Sequence, residues 1–286
     1  MLIGNTVKMA IELNIFNKPV NVAIDEHDEP YTGNDNKYLI DAPFHKFRGT
    51  DMAYRFATLD CVGNNRFALS GIIKHPLDGI GNAKEVRMLI GHALSPGIKI
   101  NTVLMDRGYL DSNVMNTVNS MKLKYIIPTK DNNKVKKFKN MDLKYCKDIY
   151  GNEFLFTVIR DNIGSLNKTY SNFVHIIYYS DKKHDFSFYT NINVNENNVM
   201  ELAELYRKRW GIENGYQSRK IDIREKTHSN RMVIRYCLYF FSILVYNLWI
   251  LINLIRRICG LSHIILMDFL IAMGNRKWKR IMNNNG

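Results

Sequence analysis

The sequence predicts an α/β fold built on parallel strands. Two apolar runs each close on an aspartate: Val22, Ala23 and Ile24 before Asp25, and Val103, Leu104 and Met105 before Asp106. Between them, and as far as residue 128, strand-like and helix-like segments alternate, the order that gives parallel strands joined by right-handed crossovers. A stretch rich in strand-like runs follows, and the last third of the chain has helical patterning.

Taken in order, residues 1–16 fit a short amphipathic helix with Val7, Ile11, Leu13 and Phe16 on its apolar side. Val20 to Ile24 reads as a buried strand that ends at Asp25, with Pro30 and Gly33 turning the chain. An Asp after a strand also suits a turn or cap, so this segment alone leaves its role open. Residues 51–60 and 66–74 are strand-like and joined by a hairpin turn at Gly63, Asn64 and Asn65. A helix opens at Asn82 or Ala83 and runs to about Leu94, where Pro96 and Gly97 stop it. The Val103–Met105 strand ends in Asp106, a helix covers Ser112 to Met121, and Lys124 to Pro128 is a further short strand. In open sheets of parallel strands ligands gather at the carboxyl ends of the strands. Asp25 and Asp106 both stand at such ends, which makes them expected neighbours in space.

Residues 130–190 differ in character. Lys130, Lys134, Lys136, Lys137 and Lys139 form a basic, Asn-rich run without a hydrophobic period, either a solvated loop or a DNA-facing surface. Strand-like runs at 153–159, 173–179 and 186–190 make the segment a β-rich insertion. From Asn195, with Asn193 or Asn195 as cap, the pattern is helical. Leu238 to Ile255 is nearly all apolar, at the lower length limit for crossing a membrane. Ser242, Asn247 and Asn253 within it are more easily satisfied by protein groups than by hydrocarbon, which favours a helix buried in protein. A basic cluster around Trp278, residues 275–280, is either a solvated tail or a nucleic-acid contact.

Composition narrows the partners. The 286 residues carry a net charge of +13, which favours a polyanion, nucleic acid first and an anionic membrane surface second. The four cysteines form no C-x-x-C pair, against a zinc site or disulfide framework and in keeping with a reducing cytoplasm. The N-terminus lacks the basic start and apolar run of a signal peptide. No P-loop, Rossmann glycine motif or nucleophile elbow is present.

The chemistry concentrates between Tyr206 and Lys220. Tyr206, Arg209, Glu213 and Lys220 stand at steps of three, four and seven, which would align them on one stripe of a helix. A solvated face is the plain alternative. Gly211 and Gly215 inside that pattern weaken a helix and suit the close approach of another backbone. This spacing resembles the Y-x2-R-x3-E-x6-K signature of insertion-sequence transposases whose catalytic residues are Asp, Asp and Glu. The resemblance extends from about Val20 to about Ile258. It includes Asp25 in VAIDEHDEPYTG as the first acid, Asp106 in LMDRGY as the second and Glu213 as the third.

The resemblance implies a ribonuclease H-like mixed sheet flanked by helices, with the β-rich insertion at about 130–190 placed before the catalytic Glu. Residues 1–19 would be an N-terminal helical segment and 20–286 the catalytic domain. It implies that Asp25, Asp106 and Glu213 hold Mg²⁺ or Mn²⁺, two ions, for cleavage of transposon ends and strand transfer into target DNA. Carboxylates are the ligands that suit these ions, and two such cations held by them can neutralise a phosphodiester transition state. Tyr206, Arg209 and Lys220 would contact phosphates of the transposon-end DNA, with a homodimer in the DNA complex, a cytoplasmic location and no membrane. Alternatives are a nuclease of the same fold that does not join strands, a non-catalytic DNA-binding remnant, and a membrane-anchored basic protein. Family members carry a region before the first Asp that recognises transposon ends. Here 24 residues precede Asp25, which fits a short lineage, recognition by a partner chain or the remnant of a longer frame.

Overall fold

The computed structural model describes residues 2–34, 37–41, 49–63, 66–74, 81–147, 150–164, 168–178, 185–209, 223, 227, 229 and 231–283. Among them ten strands form one mixed sheet. In chain order they are β1 (Val20–Pro30), β2 (Ile40–Asp41), β3 (Met52–Cys61), β4 (Ala68–Lys74), β5 (Ile100–Met105), β6 (Lys124–Pro128), β7 (Lys144–Lys147), β8 (Glu153–Ile163), β9 (Thr169–Tyr178) and β10 (Asp185–Thr190). The order across the sheet is β2-β3-β1-β5-β6-β10-β9-β8-β7, with β4 also paired to β3. β1, β5 and β6 run parallel, and β3 and β4 run antiparallel to their neighbours. This is the mixed, helix-flanked sheet expected from the sequence.

The two crossovers are helical. α2 (Asn82–Leu94) sits between β4 and β5, and α3 (Ser112–Ser120) between β5 and β6. Asp111 starts α3 by accepting hydrogen bonds from the backbone N–H of Asn113 and Val114. Both helices pack on one face of the sheet, together with α1 (Leu2–Glu12) and α6 (Met232–Ile258), through Ile3, Val7, Val86, Leu89, Val114, Met115, Tyr239 and Ile243. The opposite face is covered by α5 (Val199–Arg207), whose Val199, Leu202 and Ala203 meet Ala23, Leu104, Ile126 and Phe154. α7 (Leu266–Asn283) docks on α6 through Leu266 and Phe269.

Several boundaries depart from the expectation, each for a local reason. β1 does not end at Asp25 but continues to Pro30, because residues 26–30 keep pairing with β3. The side of α1 that is buried carries Ile3, Val7 and Ala10, while Leu13 beyond its end is exposed. The lysine run holds α4 (Asn133–Phe138), capped by the Asn132 side chain and anchored by buried Val135. Lys134 and Lys139 of that run are tied into ion pairs with Asp161, and with Asp131 and Asp185. The β-rich stretch does not stand apart: β10 pairs antiparallel with β6, so its strands extend the central sheet. Asn64 and Asn65 of the expected hairpin turn, and the side chains of the 275–280 cluster, lie outside the described residues.

α6 is long and apolar enough to cross a membrane. Its two asparagines and Ser242 are nevertheless satisfied by protein. Asn247 is fully buried and accepts from the Ala68 backbone N–H at 3.0 Å. It donates to the Ala68 carbonyl at 2.9 Å and to the Thr6 hydroxyl at 3.1 Å. Asn253 is bonded to both backbone groups of Ile264, and Ser242 donates to the Tyr239 carbonyl. At the start of the helix buried Arg235 pairs with Glu29 of β1 at 3.2 Å and lies over the Tyr31 ring.

Asn247→Leu keeps the branched shape and the number of heavy atoms but strands both backbone groups of Ala68 in the core. Unfolding in urea should show a loss of about 1–3 kcal/mol, the usual penalty for an orphaned buried polar group. A variant as stable as the parent would show that α6 is not anchored through this side chain.

Candidate functional site

The site is built where the β1–β5 ladder stops. Its last parallel register is Ile24 opposite Met105, so Asp25 and Asp106 are the next residues on two adjacent strands. Neighbouring strands lie about 4.8 Å apart. Ile24 and Met105 face α2, α3 and α6, while Ala23 and Leu104 face α5. Alternation along the strand therefore sends Asp25 to the α5 side.

Local bonds orient both carboxylates. Asp25 Oδ1 accepts the Glu26 backbone N–H at 3.0 Å. Asp106 caps a single 3-10 turn, Arg107–Tyr109, where its Oδ1 accepts the Gly108 N–H at 2.7 Å. A Cβ on Gly108 would lie 2.8 Å from that oxygen, which explains the glycine two residues after the acid.

α5 brings the next two expected residues over this end of the sheet. Tyr206 stacks on Phe186 at the start of β10, with ring centroids 5.1 Å apart. The helix ends at Arg207, so Arg209 lies in the turn beyond it and not on a continuous helical stripe. Its backbone N–H bonds the Tyr206 carbonyl and its Nε donates to the Tyr206 hydroxyl at 3.1 Å. Its Nη1 lies 3.9 Å from Asp25 Oδ2, and both side chains are largely buried. The Tyr206 phenol is pushed up to about 12, chiefly by burial; Arg209 opposes the shift, and the charges of Asp106 and Asp25 add to it. Arg209 bridges Tyr206 and Asp25, and Asp106 stands next to Asp25 at the end of the ladder. The structure thus brings together Asp25, Asp106, Tyr206 and Arg209. Glu213 and Lys220 lie outside the described residues.

Among the described residues no three His, Cys, Asp or Glu side chains form a metal cluster. Asp25 and Asp106 nonetheless fit a hard divalent ion: two oriented, oxygen-only donors side by side, beside a guanidinium that can meet an anion. Sequence reasoning missed Phe186, an aromatic in a strand whose only distinguishing feature is its contact with Tyr206. It also missed buried Glu85 of α2, which lies below Leu89 and Ala93 on the apolar stripe. A charge at an apolar position of the helical period was the available signal.

Residues 79–248 match the family described as Transposase DDE domain. The matched span contains Asp106, Tyr206, Arg209, Glu213 and Lys220 and begins after Asp25. No curated protein matches the chain. Among solved structures, the cryo-EM structure of piggyBac transposase in a synaptic complex with hairpin DNA is similar, with a TM-score of 0.60 at 11% identity. The alignment covers 89% of this chain and 52% of that one, so the chain spans about half its length. At this identity the likeness is one of fold.

The raised Tyr206 value has a consequence with a definite sign. In the pH range between its ordinary value, about 10, and about 12, the folded chain keeps a proton that the unfolded chain releases. The resulting stabilisation is complete below the lower limit and is lost as pH rises through the upper one. Tyr206→Phe should therefore lose stability less steeply than the parent across this alkaline range in denaturant titrations. Equal slopes would show that the phenol is not held protonated.

Proposed function

The chain belongs to the DDE transposase family, and from that premise we propose that it cleaves the ends of a transposable element and transfers the cut strands into target DNA. The observation that carries this reading is the placement of Asp25 and Asp106 abreast at the end of a parallel ladder, beneath Tyr206 and Arg209. The family generally uses a divalent metal. In our reading Asp25, Asp106 and Glu213 hold Mg²⁺ or Mn²⁺, two ions, which would activate the attacking water or 3′-hydroxyl and neutralise charge on the reacting phosphate. Arg209 and Tyr206 then meet the phosphates of the transposon end, with Lys220 as a further point charge. Residues 20–286 serve as the catalytic domain, with 1–19 as a helical segment. The DNA complex holds two copies of the chain, and the reaction takes place in the cytoplasm. The net charge of +13 suits a DNA partner.

The test incubates the full chain with DNA carrying the element's termini, with Mg²⁺ or Mn²⁺, beside an Asp106→Asn variant. Cleavage and joining should fall by several orders of magnitude in the variant while DNA binding persists. In chelator the variant should melt no lower than the parent, because one of two neighbouring charges has been removed. Mn²⁺ should then raise its melting temperature much less than the parent's. A variant that melts lower in chelator and responds to Mn²⁺ as the parent does would sink the reading.

A second measurement addresses the phosphate contacts. Arg209→Ala should weaken DNA binding and reduce the slope of log affinity against log salt by about 0.9, the share of one phosphate contact. An unchanged slope would remove Arg209 from the DNA interface.

A further inference from the structure

Behind the two aspartates, on the opposite face of β1, lies a polar cluster within an otherwise apolar layer. Glu85 of α2 is fully buried, and Tyr109, the last residue of the turn that begins at Asp106, is almost so. The Tyr109 hydroxyl donates to Glu85 Oε1 and lies 3.4 Å from Glu26 Oε1. Lys74 Nζ, at the end of β4, sits 2.5 Å from Glu26 Oε1, 3.0 Å from Glu85 Oε2 and 2.8 Å from Asn82 Oδ1. Asn82 in turn donates to the Gly108 carbonyl at 3.1 Å. Arg55 of β3 closes the group, with Nε 3.3 Å from Glu26 Oε2 and 2.6 Å from Asp28 Oδ1.

The cluster joins two short backbone segments, Asp25–Glu26 and Asp106–Tyr109. No β1–β5 register continues past Ile24 and Met105, so the ladder itself does not fix how far apart the two acids stand. The bonds from Glu26 through Lys74 and Glu85 to Tyr109, and from Lys74 through Asn82 to Gly108, span this gap between the two segments. Stability alone does not call for such a group: well-packed apolar residues in place of a buried ion pair are often as stable or more so. Hydrogen-bonded groups that hold the chain beside metal-binding carboxylates orient those carboxylates.

We propose that Glu26, Lys74, Glu85 and Tyr109 are positioning residues that set the separation and orientation of Asp25 and Asp106 for a divalent ion. This rests on the metal-site reading of those two acids. The test titrates the full chain with Mn²⁺, without DNA, and records the concentration giving half of the maximal thermal stabilisation. Tyr109→Phe removes only the hydroxyl, and Glu85→Gln keeps size and hydrogen bonding if the first variant does not fold. Each should raise the Mn²⁺ midpoint by about tenfold, whatever it does to melting in chelator. Asp106→Asn should abolish most of the response. If Asp106→Asn is unresponsive but both network variants keep the parent's midpoint, the cluster is structural only and the proposal is overturned. If Asp106→Asn responds to Mn²⁺ as the parent does, the metal-site reading falls, and the proposal with it.

Discussion

The register of β1 against β5 is the constraint on which the site depends. A parallel pair aligns the two strands as far as Ile24 and Met105, and side chains alternate between faces with a period of two. A slip of one residue would carry Asp25 from the α5 face into the layer occupied by Ile24 and Met105. That slip is opposed from both sides, because Val22 and Ile24 are packed into one core and Ala23 into the other. The same burial that holds the sheet together therefore decides which face carries the acids. The adjacent β1–β3 pairing continues to Pro30 and keeps Asp25 on a stiff strand, whereas Asp106 begins a tight turn.

The two faces of the sheet do different work. Among the described residues, one is covered by four helices and holds buried polar groups that are bonded across the layer, as with Asn247 and the Glu85 cluster. The other, among the described residues, is covered by the short α5, with Tyr206 and Arg209 at its edge.

Local patterns made much of this legible. α2 could be read because Asn82 and Pro96 bracket an apolar period, and β5 because an unbroken apolar run stops at Asp106. The close fit of Gly108 against Asp106 gives the Arg-Gly-Tyr sequence a physical reason. What sequence could not supply came from distant pairing. The extension of β1 depends on β3, and the joining of β6 to β10 depends on residues about sixty positions apart. The end of α5 at Arg207 was hidden by a spacing that suits a continuing helix. Asp25 and Asp106 were legible as strand-end acids, and Tyr206 and Arg209 as parts of one spacing. The positions of Glu213 and Lys220 lie outside the described residues.

The bridge from Asn247 to Thr6 and Ala68 has a temporal consequence. It links residues 241 and 179 positions apart. During synthesis the first helix and the hairpin edge emerge long before the segment that closes over them. They wait, with apolar surface uncovered, until α6 has left the ribosome. Contacts so far apart in sequence slow folding and lengthen exposure to aggregation. The first helix and the hairpin edge thus reach their final packing only once α6 has been made, well after Asp25 and Asp106.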